Sequence, residues 1–178
     1  MRAVLVSLAF VIFAAPARAE IVSSSPASFE LYYQEVVHVP AAQAWRSLVE
    51  VGAWWSSAHT YSGDAANLRL EPRAGGCWCE RWSNNSVEHA RVVMVRRSSG
   101  EDVLRLLGAL GPLQEMGVTG VLTFTIVSDP RGAKITLRYR VSGDPGISLD
   151  RVAPAVDAVL AEQFARLARY TNSGTPNE

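Results

Sequence analysis

Apolar and polar residues alternate with a period of two through most of this chain, and with a helical period in only two places. Phe29, Leu31, Tyr33, Val37 and Val39 fall on one side of an extended segment, and Glu30, Tyr32, Gln34 and His38 on the other. That pattern predicts a first strand over residues 29–39, with Glu35 the one charge on its apolar side. Pro40 stops the strand and suits a first helical turn. Ala44, Trp45, Leu48 and Val51 then share one side of a helix over 41–51, ended by Gly52. From Leu68 onward short extended runs recur over 68–70, 77–82, 87–96, 103–110, 118–127 and 134–141. Their connections include Ser83-Asn84-Asn85-Ser86, Ser98-Ser99-Gly100 and Asp129-Pro130-Arg131-Gly132, the last matching a type I turn position by position. Connections this short force neighbouring strands to run antiparallel. A closing helix, regular from Pro154, carries Val156, Val159, Leu160, Gln163, Leu167 and Tyr170 inside and Asp157, Glu162, Arg166 and Arg169 outside.

The resulting class is α+β: an antiparallel sheet of six or seven strands with one long C-terminal helix. A single amphipathic helix covers so many strands only if the sheet curls around it. The space left between helix and sheet is where a ligand would sit. The organisation expected is a leader segment over 1–19, a mobile stretch over 20–28, one domain over 29–170 and a polar tail over 171–178.

The first residues read as an export signal: Arg2, an apolar run over 3–15, Pro16, then Ala17-Arg18-Ala19, with cleavage expected between Ala19 and Glu20. The run is shorter than the roughly 20 residues a membrane span needs, so the expected product is periplasmic or secreted, with no membrane attachment after cleavage. The leader removes Arg2 and Arg18, leaving 15 basic against 17 acidic residues. A net charge of −2 provides no footprint for nucleic acid.

The chemistry is concentrated in Gly75-Gly76-Cys77-Trp78-Cys79-Glu80-Arg81-Trp82 and its hairpin partner Val87-Glu88-His89-Ala90-Arg91. Parity puts Cys77, Cys79 and Arg81 on one face and Trp78, Glu80 and Trp82 on the other, with either face free to line a cavity. In regular strand geometry Cα atoms at i and i+2 lie about 6.5–7 Å apart, at the edge of disulfide reach, so two half-buried thiols are expected. Glu80 beside two indoles could be held protonated by desolvation and serve acid/base work; the expected structural role is an ion pair with Arg91. His89 shares parity with Arg91 and Val93 and could act as a base or satisfy a buried backbone group. The loop over 54–64 holds Trp54, Trp55, His59 and Tyr61, with one indole expected in the core and the other at a pocket mouth. No close His, Cys or carboxylate pairing supports a metal, no cofactor is expected, and no G-x-S-x-G or similar nucleophile signature occurs.

Val39-Pro40-Ala41-Ala42 leading into Trp45, Trp54-Trp55, Gly75-Gly76-Cys77-Trp78-Cys79-Glu80, Glu88-His89, Leu110-Gly111-Pro112-Leu113-Gln114, Thr119-Gly120 and Val156-Asp157 resemble the START-like (SRPBCC) superfamily. The resemblance is to the branch with polyketide cyclases and activator-of-heat-shock-ATPase homologues. The resemblance spans roughly residues 30–170 and implies the helix-grip fold. It implies little about chemistry; for the cavity between sheet and helix the residues themselves offer Trp54, Trp55, His59, Tyr61, Glu80, Trp82, His89 and Gln114 as candidates to bind a small apolar or amphipathic molecule. Export sets this chain apart from the cytosolic members and argues against a co-chaperone role. The function expected is that of an exported binding protein, and the alternative is a cyclase- or hydratase-type enzyme using Glu80, His89 or His59.

Overall fold

The alternation after Ser28 becomes a strand, and so does each extended run downstream of it. The computed structural model describes residues 18–177, with side chains from Ile21 onward. The strands are β1 (Arg18–Ser25), β2 (Ser28–Val37), β3 (Leu68–Leu70), β4 (Cys77–Trp82), β5 (Asn85–Arg96), β6 (Asp102–Leu107), β7 (Thr119–Asp129) and β8 (Gly132–Ser142). They form one antiparallel sheet in the order β1-β2-β8-β7-β6-β5-β4-β3. Helices α1 (Ala41–Val49) and α2 (Val51–Trp54) cross between β2 and β3, and α3 (Leu149–Ser173) closes the chain. A curved antiparallel sheet with a long C-terminal helix is the layout of a helix-grip fold.

The strand count is eight, not six or seven. The extra strand is β1, which occupies much of the stretch expected as a mobile leader over 20–28. Its serines show no alternation, so a hydrophobic pattern cannot flag it. It is held instead by ladder bonds to β2, with Val22 bulged out of register, and by a turn in which the Ser28 amide donates to Ser25 Oγ at 3.1 Å. The export signal read over 1–19 lies outside the described residues, except Arg18 and Ala19, whose backbone belongs to β1.

The helices differ from expectation at their ends. The first breaks at Glu50, and Gly52 lies inside α2 rather than capping α1. A Cβ on Gly52 would lie 2.8 Å from the Ala65 carbonyl oxygen, so its glycine serves close packing. The last helix starts at Leu149, five residues before Pro154, which sits inside it. Its first amide is held from outside, Leu149 N donating to the Pro26 carbonyl at 2.9 Å. It also runs into the expected polar tail: Thr171 is buried, and Gly174, at φ 78°, ends the helix.

The core lies between the concave face and α3. Phe29, Leu31, Tyr33, Leu122, Phe124, Leu137 and Tyr139 are buried on the sheet, and Leu160, Phe164 and Leu167 on the helix. The Tyr33 ring packs 5.7 Å from Phe164, and its hydroxyl donates to Asp157 Oδ1 at 2.6 Å. Burial, then this carboxylate, drives the Tyr33 pKa far above its ordinary value. Asp157, expected on the outer side of the helix, is half-buried for this reason.

Candidate functional site: a cavity with a buried carboxylate–imidazole pair

Trp78 and Cys79 are consecutive on β4 but face Ala90 and Glu88 on β5, so His89 is an extra residue in that ladder. Such a bulge turns two neighbouring residues to one side. His89 and Ala90 are both buried, while Glu88 and Arg91 are exposed. Parity therefore fails for His89, which parts from Arg91 and Val93. Gly108 on the neighbouring connection makes the bulge possible: a Cβ there would lie 2.3 Å from the His89 carbonyl oxygen and 2.6 Å from Ala90 Cβ.

On β4 Trp78 and Glu80 point inward, and Cys79 between them is buried too. Glu80 is 0% exposed. Its Oε2 accepts from the Tyr61 amide at 3.0 Å and lies 3.0 Å from His89 Nε2, while Oε1 accepts from the Ser62 amide. The expected Glu80–Arg91 pair does not form. Arg91 stands across from Cys77 on the outer face, where it bonds Glu88 and the Gly75 carbonyl.

Burial pushes the Glu80 carboxyl up, but the Ser62, Tyr61 and His89 donors outweigh it and hold the group below the usual carboxylate range. Glu80 is therefore ionised at neutral pH, as an ion-pair role requires, though its partner is His89 and not Arg91. Burial lowers the His89 pKa, with Glu80 pulling the other way. A carboxylate can only accept, so the proton of the neutral imidazole resides on Nε2 and Nδ1 keeps its lone pair. Nδ1 has no hydrogen-bond partner among the described residues.

The imidazole lines a cavity of about 460 Å³. Tyr61 and Trp78 flank it, with ring centroids 5.9 and 6.2 Å away. The opposite wall is α3, through Val152, Ala155, Val156, Val159 and Leu160. Leu110, Pro112, Leu113 and Met116 close one side, and Trp55, Ala58, His59 and Thr60 another. The loop carrying these last residues is pinned at both ends. From α3, Gln163 Oε1 accepts the Ser56 amide at 2.7 Å, Arg166 Nε donates to the Trp54 carbonyl at 2.9 Å, and Glu162 meets His59 at 3.1 Å. From the sheet, Glu80 holds the Tyr61 and Ser62 amides.

Of the residues singled out in the sequence, Trp55, His59, Tyr61 and His89 line the cavity. Glu80 stands behind His89. Trp54 is turned into the core, its indole donating to the Leu48 carbonyl at 3.2 Å. Trp82 ends β4 half-buried and away from the cavity, and exposed Gln114 donates to the Glu88 carbonyl at 2.8 Å. Sequence reasoning missed Trp78 as a lining residue, although it shares the Glu80 face of β4. In the segment over 110–116 it picked Gln114 and missed Leu110, Pro112, Leu113 and Met116, whose apolar side chains carry no period.

Behind this site, on the outer face, Cys77 and Cys79 are joined as a disulfide with Cα atoms 5.4 Å apart. Free thiols were expected from regular strand spacing. The strand is pinched at Trp78, beside the bulge, and that brings the pair within disulfide reach. Cys77, Cys79 and Glu88 are also the one group with metal-ligand spacing among the described residues. With the sulfurs bonded to each other, thiolate donors are not on offer there.

No family model matches this sequence, and no curated protein matches it. Solved structures do. A protein of Mesorhizobium loti superposes with a TM-score of 0.54 at 14% identity, over 79% of this chain and 94% of its own. A hypothetical protein of Helicobacter pylori gives 0.55 at 14% identity, over 82% and 86%. A Staphylococcus aureus protein of unknown function gives 0.53 at 9% identity, over 81% and 90%. The fold is shared. At such identities the likeness extends to fold alone, and the chemistry must be argued from this chain's own residues.

Proposed function

We propose that this chain binds a small apolar or amphipathic molecule between the sheet and α3. The observation supporting this is the cavity itself: roughly drug-sized, walled by Leu, Val, Trp and Met side chains, with polarity gathered at one end around His89 and Tyr61. A ligand with a long apolar body and one hydroxyl or carbonyl group fits that distribution. Together with the N-terminal pattern, this makes an exported carrier of the START-like type the leading reading.

Native mass spectrometry of the chain, produced with its own N-terminus and purified without detergent, tests it. A discrete added mass that disappears on denaturation is the expected result. Val156 faces the cavity from α3, so Val156→Trp should abolish the added mass while leaving the melting temperature within a few degrees. Retention of the same adduct by Val156→Trp would place the ligand elsewhere.

A second reading is favoured by one specific feature. Glu80 fixes the tautomer of His89 so that Nδ1 is a free base at the polar end of an apolar chamber. That arrangement suits proton abstraction from a carbon acid, as a cyclase- or hydratase-type reaction requires. Once a ligand is recovered, the protein should accelerate deuterium uptake from solvent at its acidic C–H position. His89→Ala should remove that acceleration and leave the adduct in place. Equal exchange in both proteins would leave binding as the whole function.

A further inference from the structure

The Cys77–Cys79 disulfide contributes little as a staple. The chain-entropy benefit of a crosslink grows with the loop it closes, and this one closes the shortest loop that skips a single residue. Its two sulfurs differ in access. Cys77 is half-exposed and Cys79 buried, so one sulfur is open to attack and the other shielded. In the ladders Cys77 faces Arg91, and Cys79 faces Arg69 on one side and Glu88 on the other. The Glu88 carboxylate lies 3.9 Å from Cys77 Sγ and is paired with Arg91.

Its position matters as much. Trp78, between the two cysteines, lines the cavity, and the bulged His89 lies on the adjacent rung of β5. A relaxed strand would spread the two Cα atoms from 5.4 Å to about 6.5–7 Å. That spreading displaces Trp78 against the His89 bulge.

We propose that Cys77–Cys79 is a thiol–disulfide exchange site whose co-reactant is a dithiol reductant, and that its redox state sets the shape of the cavity. A thiolate of the reductant attacks Cys77 Sγ, the Cys77–Cys79 bond breaks, and Cys79 leaves as a thiolate. The second thiol of the reductant then displaces Cys77 from the mixed disulfide. The reductant ends as its own disulfide, and the protein gains two electrons and two protons as a pair of thiols. The shape-setting half rests on the cavity function proposed above; the exchange half does not.

Two readouts on the folded full-length chain separate these halves. The first is titration with dithiothreitol followed by alkylation and mass analysis. Full two-electron reduction without denaturant is expected. With oxidised glutathione, Cys79→Ser should form a mixed disulfide on Cys77 about tenfold faster than Cys77→Ser forms one on Cys79. A bond that resists dithiothreitol until the protein unfolds would overturn the exchange site. The second readout is the affinity of anilinonaphthalene sulfonate before and after reduction, with the Cys77→Ser/Cys79→Ser double variant as a reduced-state reference. A severalfold change, reproduced by the double variant, is expected. An unchanged affinity for a probe that Val156→Trp displaces would overturn the coupling alone. A probe that Val156→Trp does not displace would count against the cavity function instead.

Discussion

Glu80→Ala is expected to cost about 3–5 kcal/mol of folding stability, near the largest loss available from one substitution in a domain of this size. The carboxylate is fully buried and takes donors from the Tyr61 amide, the Ser62 amide and His89. Alanine leaves all three without a partner and releases one end of the loop that walls the cavity. Denaturant unfolding measures the loss; a value below about 1 kcal/mol would mean water replaces the carboxylate without cost. Glu80→Gln should fall between, because an amide can accept from only one side.

The same pair sets an acid response whose sign is fixed by its two shifts. Glu80 is depressed, so its contribution is present above the ordinary carboxylate pKa and is lost as pH falls through the lower folded value. His89 is depressed as well, so the unfolded chain takes up its proton first and stability begins to fall below an ordinary imidazole pKa of about 6.5. Stability should thus decline in two stages, from about pH 6.5 and again below about pH 4.3. His89→Gln should remove the first stage. A wild-type profile flat from pH 7 to 5 would contradict the neutral, buried imidazole.

Gly108→Ala should be the second severe change, at about 2–4 kcal/mol. The added methyl would meet the His89 carbonyl oxygen at 2.3 Å and Ala90 Cβ at 2.6 Å, contacts that move only if the bulge moves. The expected signature is a fall in melting temperature together with loss of cavity binding, since His89 is re-aimed. Gly100→Ala serves as a control, because a Cβ there meets nothing within 4 Å. Equal effects from the two substitutions would remove the link between Gly108 and the bulge.

The sheet and both main helices were legible because burial follows period: the alternation of β2, β7 and β8 matches the buried positions closely, while on α3 Leu160, Gln163 and Leu167 are buried as expected but Phe164 was not foreseen. β1 was not, because an edge strand of serines is held by backbone bonds that leave no mark on the hydrophobic pattern. The site was half legible. Trp55, His59, Tyr61 and His89 do meet at one cavity. What joined Glu80 to His89 rather than to Arg91 is a one-residue bulge, and a strict period of two cannot show it. The disulfide was missed for the same reason, since its reach was judged from regular strand spacing. The local sign available was Gly108, a glycine beside an otherwise regular strand.

The pairing of β2 with β8 has a consequence for how the chain comes to be folded. Phe29 meets Val141 and Val37 meets Ala133, so the second strand of the sheet is completed only by the last. Pairing across some hundred residues is slow to find, because the intervening loop must close before any contact rewards it. On a ribosome the β1–β2 hairpin emerges early and waits, with Leu31 and Tyr33 uncovered, until β8 has been made. α3, which buries that face, comes later still. The N-terminal hairpin therefore stays available to whatever receives nascent chains for most of the time the protein takes to be synthesised.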